Sequence, residues 1–313
     1  MNTLAARYNA FISRLDEQPP CLLLVAVART SLALGTLITL LFSRPAVLFD
    51  ESVYGYTNLN TNYEYLNIFK YFGFSGIVYY YACCIIILLV VIAGYYPRFT
   101  GVLHWLVAFS IFRSATILEG GDQIAVILTL LLIPLTLCDS RKNHWQLSPS
   151  TDKHYFIANL SWMLIRLQMA LVYYQAGAEK IYKLEEWRNG TAIYYFFNDP
   201  IFGYSDWLAP WLHRLLLNGY VVSAFTWGTV LFEIVLFGAY FMRKRRRANL
   251  LIAALAFHFG IALLLGLVSF FFAMAGGLIL YLSSGKTEKL LRRWLGAGLR
   301  RRTTAPLTAE VLA

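Results

Sequence analysis

Apolar residues come in long blocks along this chain, separated by shorter polar stretches that hold most of its charge. A helical crossing of a bilayer core needs about twenty predominantly apolar residues. Blocks of that order lie at about 21–42, 76–95, 101–118, 122–138, 156–176, 219–242, 248–265 and 267–283. The pattern predicts an all-α fold, a polytopic integral membrane bundle of about eight transmembrane helices. The first block follows Arg7 and Arg14 as a secretory signal would, but it runs on to Arg44-Pro45 without a small-residue cleavage site and reads as a retained helix. Residues 249–284 form one apolar run, too long for a single upright crossing at about 1.5 Å per residue. Two helices turning near Gly266 fit it, and one tilted helix is the rival.

Charge discriminates between them, because Lys and Arg accumulate in cytoplasmic loops. With eight crossings, one side collects Arg7, Arg14, Arg98, Arg141, Lys142, Lys153, the run Arg243 to Arg247, and the basic residues from Lys286 to Arg302. The other side holds Arg44, Lys70, Lys180, Lys183, Arg188 and Arg214. This reading puts residues 1–20, the basic tail 284–313 and both termini in the cytoplasm. It puts the long segments 43–75 and 177–218 on the outer side of the cell membrane. The first of these is tyrosine-rich (Tyr54, Tyr56, Tyr63, Tyr65), and both suit the headgroup region. Seven crossings would leave the basic tail outside.

Composition agrees: 58% of residues are hydrophobic, which excludes an ordinary soluble domain. The net charge of +10 sits beside the apolar blocks, so it is a topology signal and not a nucleic-acid surface. Cys21, Cys83, Cys84 and Cys138 lie within or at the edges of apolar blocks without CxxC spacing, and the histidines form no HExxH pattern. Neither a disulfide framework nor a metal site is indicated.

Ionisable residues inside a bilayer need a partner or a purpose. Arg29, Arg113, Arg166, Asp122 and His258 are such residues. Arg29 fits structural pairing between helices as well as function. The Glu119-Gly120-Gly121-Asp122 stretch reads either as a solvated glycine turn or as a turn that aims Asp122 into the bundle. Arg166, Tyr173, Gly177 and Lys180 are spaced by seven, four and three residues, which puts them on one helical face. A polar stripe facing lipid is untenable, so this face must meet protein or a wet cavity. An amine stripped of part of its hydration can serve as a base or nucleophile, which makes Lys180 a candidate. Equally, Lys180 can snorkel to the headgroups or pair with Glu179. His258 reads as a hydrogen-bonded packing residue or as a cavity group.

The run RLQMALVYYQAGAEKIYKLEEWRNGTAIYYFF resembles the central signature of the HTTM superfamily, the membrane fold shared with vitamin K-dependent gamma-carboxylases. That signature is Arg-x-Gln, an aromatic-rich turn, Ala-Gly-x-x-Lys, Trp-x-x-Gly and a tyrosine-rich stretch. Here its places are Arg166, Gln168, Tyr173, Tyr174, Ala176, Gly177, Lys180, Trp187, Gly190, Tyr194 and Tyr195. The Glu119 to Asp122 turn, the His258 helix followed by Gly266, and the opening run Arg29 to Phe42 extend the resemblance, which is greatest to the bacterial SdpB-type branch.

The resemblance implies Lys180 as a catalytic base, with Arg166, Gln168, Tyr173, Tyr174, His258, Asp122 and Trp187 as supporting or cavity residues. It implies an enzyme that modifies or matures an exported peptide at the outer face, with a secreted peptide precursor and a small protein as partners beside the lipid bilayer. A reduced quinone is the cofactor such a fold would bring, although these residues do not specify one. Nothing in this sequence matches the large extramembrane domain by which animal carboxylases hold their substrates, and a fold does not transfer a reaction. A non-catalytic scaffold or immunity-type protein fits the aromatic outer segments as well. A transporter fits less, because no two-half repeat is evident.

Overall fold

The computed structural model describes residues 2–49, 63–148, 150, 155–199, 203, 204 and 206–303. Tyr54, Tyr56, Lys153 and the last ten residues of the basic tail lie outside the described residues. Helices of eight residues or more, numbered in chain order, are α1 (Asn2–Glu17), α2 (Leu22–Phe42), α3 (Ile77–Ala93), α4 (Pro97–Ser114), α5 (Gly120–Leu137), α6 (Tyr155–Tyr182), α7 (Ala209–Leu216), α8 (Gly219–Gly238), α9 (Lys244–Leu265), α10 (Val268–Leu282) and α11 (Gly285–Thr303). No strand is named among the described residues, where an isolated bridge pairs Tyr95 with Asn143.

Helix is the expected state for these blocks, since a lipid-facing backbone must satisfy its own hydrogen bonds. The segments Leu22–Phe42, Gly120–Leu137, Tyr155–Tyr182, Gly219–Phe241 and Lys244–Leu265 are long and apolar enough to cross a membrane. α3 is apolar but shorter, and α10 meets α11 at a bend of 117°. The apolar run 249–284 is two helices, because Gly266 takes the left-handed conformation (φ 72°) and ends α9. α6 runs through Tyr182, six residues past the predicted end of its crossing, and it carries Lys180 on the helical face expected for it.

α10 lies at the centre, packed against α2, α5, α6 and α9, while α3 and α4 join α2 and α5 on one side and α8 lies along α6. The α2–α10 contact is close because small residues line it. A Cβ on Gly35 would stand 2.9 Å from the Ser269 carbonyl oxygen, and one on Gly276 would stand 2.9 Å from that of Ala28. Such stripes of small residues are how helices associate where lipid is as apolar as leucine.

The polar interior follows the same economy. Arg29 of α2 is fully buried and donates to His144 Nδ1 (3.2 Å) and Thr100 Oγ1 (3.1 Å). Because Nδ1 accepts, the neutral His144 ring carries its proton on Nε2. Asp139 takes both ends of Arg141 at 2.8 and 2.7 Å, and Arg141 also donates to the Gln146 carbonyl at 2.6 Å. Glu288 of α11 accepts from the Leu23 and Leu24 amides at 3.2 and 2.8 Å, satisfying the start of α2 from a distant helix.

Burial, reinforced by the Arg29 and Arg141 guanidinium groups, pushes the His144 ring down to about 3. Its folded value lies below the ordinary value, so its contribution to stability is complete above about pH 6.5 and is lost as pH falls toward 3. Thermal unfolding in detergent should therefore show acid destabilisation across that window, shallower in His144→Asn than in the parent chain. In the same assay Gly276→Leu should cost roughly 1–3 kcal/mol by overpacking the α2–α10 contact. Gly260→Ala, with open space around the added carbon, should be neutral.

Candidate functional site

The end of α6 carries the densest group of functional side chains. Glu233 is the one charged residue among positions 219–238 of α8, and the packing of α8 along α6 brings it to Lys180. The Lys180 Nζ donates to both carboxylate oxygens, at 2.8 and 2.9 Å. The pair is largely enclosed, with side-chain exposures of 18% and 11%. Glu179 is not the partner: it faces away, accepting from Lys183 at 2.8 Å and Gln175 at 3.4 Å.

A third wall comes from the segment after α6. The short helix Glu185–Arg188 places Trp187 so that the Lys180 ammonium lies 4.9 Å from its ring centroid, a cation–π contact. Gly190, with φ 77°, turns the chain back against Ser223 and Trp227 of α8, where side chains leave little room for a Cβ. Beyond it, Ala192 joins Trp187 and Val230 in a small core, and the Ile193 amide donates to Thr226 Oγ1 at 3.3 Å. The segment is thus folded onto α8, and it closes over the ion pair.

Deeper in the bundle, two turns of α6 from Lys180, the Tyr173 hydroxyl and His258 Nε2 of α9 are hydrogen-bonded at 3.0 Å. Both are buried, and His258 Nδ1 has no partner among the described residues. Phe257 and Phe270 stand edge-on to the imidazole, and Tyr173 stacks on Tyr281 at 6.4 Å. Tyr173 lies seven residues before Lys180 on α6, so the Tyr173–His258 and Lys180–Glu233 pairs line one column along the same face of that helix.

Lys180 and Trp187 are brought into contact, and Tyr173 and His258 into a second contact two turns deeper on α6. Arg166 shares their helical face but lies farther along it, where it donates to the Ser283 carbonyl at 2.7 Å and the Leu280 carbonyl at 3.5 Å and so closes the end of α10. Tyr174 points outward, 55% exposed, against Phe237. Gln168 is half-buried and makes no hydrogen bond to the column. Asp122 belongs to a separate crevice, of about 10 Å³, lined with Glu119, Ser269, Gly35 and Thr36. There it forms a capping box with Glu119, whose amide donates to it at 3.0 Å. Both readings of the glycine turn hold in part: it is a helix start, and its acids face the bundle.

Glu233 is the site residue that sequence reasoning missed: it is the partner of Lys180. Its signal was present, since a lone carboxylate in an apolar span asks for a partner as strongly as Arg166 or His258 does. Removing one member of the pair leaves the other enclosed and unpaired. Lys180→Met should therefore destabilise the protein by roughly 1–3 kcal/mol, and Lys180→Met/Glu233→Leu should restore most of the loss, as read from thermal unfolding of the singles and the double.

No family model matches the chain, and no solved structure matches it. It is 36% identical over 287 residues to the uncharacterized protein YitO of Bacillus subtilis (strain 168), covering 87% of this chain and 89% of that one. It is 34% identical over 291 residues to the sporulation-delaying protein SdpB of the same organism, covering 88% of this chain and 85% of that one. With apolar helices and relatives matched over nearly their whole length, this chain is a membrane protein and belongs to the SdpB family.

Proposed function

We propose that the chain is an eight-span, HTTM-like membrane enzyme that modifies or matures an exported peptide at the outer face, with both termini in the cytoplasm. The observation that carries this reading is the Lys180–Glu233 pair, enclosed under Trp187 and on the same face of α6 as the Tyr173–His258 pair. The SdpB relative is named a sporulation-delaying protein, which supports a place for this chain in a system that delays sporulation. The exposed cations Arg243 to Arg246 that follow α8 support the orientation.

Lys180 is the base in this reading, and Glu233 sets when it can act. A proton moving from Nζ to the carboxylate leaves a neutral amine and a carboxylic acid, and exclusion of water favours that exchange by denying both charges their hydration. The amine then takes a proton from the substrate. Trp187 and the Gly190 turn limit access to the pair from the outer end. The surroundings of His258 fit a flat, lipid-soluble group such as a reduced quinone: aromatic rings flank it, and Nδ1 is a buried polar atom without a partner. His258 and Tyr173 would hold such a group, which when bound supplies an oxidisable hydroxyl.

A scaffold that binds the peptide or a partner subunit without chemistry is the second reading, favoured by the exposed aromatics Tyr195, Trp207 and Trp211. Mass analysis of the secreted peptide separates the two. With the parent chain, the enzyme reading expects a mass change that Lys180→Ala abolishes and Glu233→Gln reduces at least about tenfold. Activity is to be read per inserted protein, because loss of the Lys180–Glu233 pair also lowers stability. An unaltered mass in every case favours the scaffold, and full activity of Lys180→Ala rules out the base.

A further inference from the structure

We propose that α11 is an anionic-lipid-binding helix: it turns across the end of the bundle and lays a stripe of lysine, arginine, leucine and tryptophan on the phosphate headgroups of the adjoining leaflet. The two faces of this helix differ in kind. One face holds the bundle: Glu288 accepts from the first amides of α2, and Arg292 donates to Glu288 at 2.8 Å and to the Leu147 carbonyl at 2.7 Å. Leu291 packs against the central core from the same side. The other face packs against nothing among the described residues. Lys286, Lys289, Leu290, Arg293 and Trp294 are all exposed, Leu290 by 64% and Trp294 by 73%, and their spacing of three and four residues makes them one stripe.

Position and charge identify the occupant. α10 crosses the bundle, and the 117° bend before α11 sends that helix across the bundle's end instead of onward from it. Arg166 connects this end together, bonded to Ser283 at the close of α10 and within electrostatic range of Cys21 and Arg247. The exposed cations Arg243, Lys244, Arg245 and Arg246 therefore lie at the same end as α11. A helix across the end of a membrane bundle meets headgroups. A stripe that alternates cations with an indole and a leucine matches the boundary between phosphates and acyl chains. Because the opposite face of α11 supplies the amide acceptor for α2, lipid on the stripe and order at the start of α2 are coupled through Glu288.

The test uses the full chain in mixed detergent micelles with equal amounts of phosphatidylglycerol and phosphatidylcholine, with retained lipids counted by native mass spectrometry. Each cation near an anionic surface contributes about a fivefold factor, so the parent chain should retain phosphatidylglycerol over phosphatidylcholine by at least about tenfold. Lys286→Gln/Lys289→Gln/Arg293→Gln should lower the ratio at least about tenfold, and by more than Lys244→Gln/Arg245→Gln lowers it. Circular dichroism and size exclusion should show each variant folded. Equal retention of both lipids by the parent chain overturns the proposal, as does an unchanged preference in the α11 variant. Loss of the preference on adding soluble glycerol phosphate also overturns it, by assigning the stripe to free anions.

Discussion

A charged side chain carried into an apolar bundle has no bulk water to turn to, so its partners must come from neighbouring helices. This constraint organises the molecule. Arg29 joins α2 to α4 and to the loop that carries His144; Lys180 and Glu233 join α6 to α8; Arg166 joins α6 to the end of α10; Glu288 joins α11 to the start of α2. Each polar group fixes two elements at a particular register. Apolar packing alone is more permissive, because lipid competes for it on nearly equal terms. The one extensive contact built from small residues, between α2 and α10, puts backbone close to backbone and leaves little freedom there either.

The same constraint explains what could be read from the sequence. The break at Gly266 was legible because a run of that length exceeds one crossing and glycine is the residue that ends a helix in the left-handed conformation. The stripe from Arg166 to Lys180 was legible as a face. Its partners were not, since helical periodicity says which residues point the same way and nothing about which helix they meet. Lys180 accordingly had Glu179 as its nearest candidate in sequence and takes Glu233, fifty-three positions away. Arg166 has no acidic partner in the stripe and ends on two backbone carbonyls, a partner class that no side-chain pattern reveals. The predicted crossing ends at residue 176 because polar residues begin after Gly177, although the helix goes on to Tyr182. Packing against Ile234 and the ion pair beyond it carry the helix through.

The two ends of the bundle solve different problems. At the end that carries α11, polar groups close helix termini: Glu288 on the first amides of α2, Arg166 on the last carbonyls of α10, Arg141 on Asp139 and Gln146. These contacts are built from backbone and side chains already committed to one another, and they hold shape. At the Lys180 end the charged groups meet each other and not the backbone. Side chains paired in that way can be exchanged for a substrate without opening a helix.

That distinction bears on how a lysine in this place could work. The Lys180 ammonium is held by two carboxylate oxygens, by the face of Trp187, and by the carbonyl end of α6, each of which stabilises a positive charge. A base must shed its proton first, and the nearest acceptor is Glu233. Of the three contacts, the helix end is fixed by α6 itself, and Glu233 is fixed by α8. Trp187 is carried by the short segment that folds back at Gly190, so it is the contact that can move without breaking a span. In the proposed reading, a peptide would meet that segment before it met the lysine. Displacing the indole would remove one support of the ammonium and shut out water in the same step. On that proposal the order of the layers, indole over amine over tyrosine and histidine, would make access and reactivity a single event.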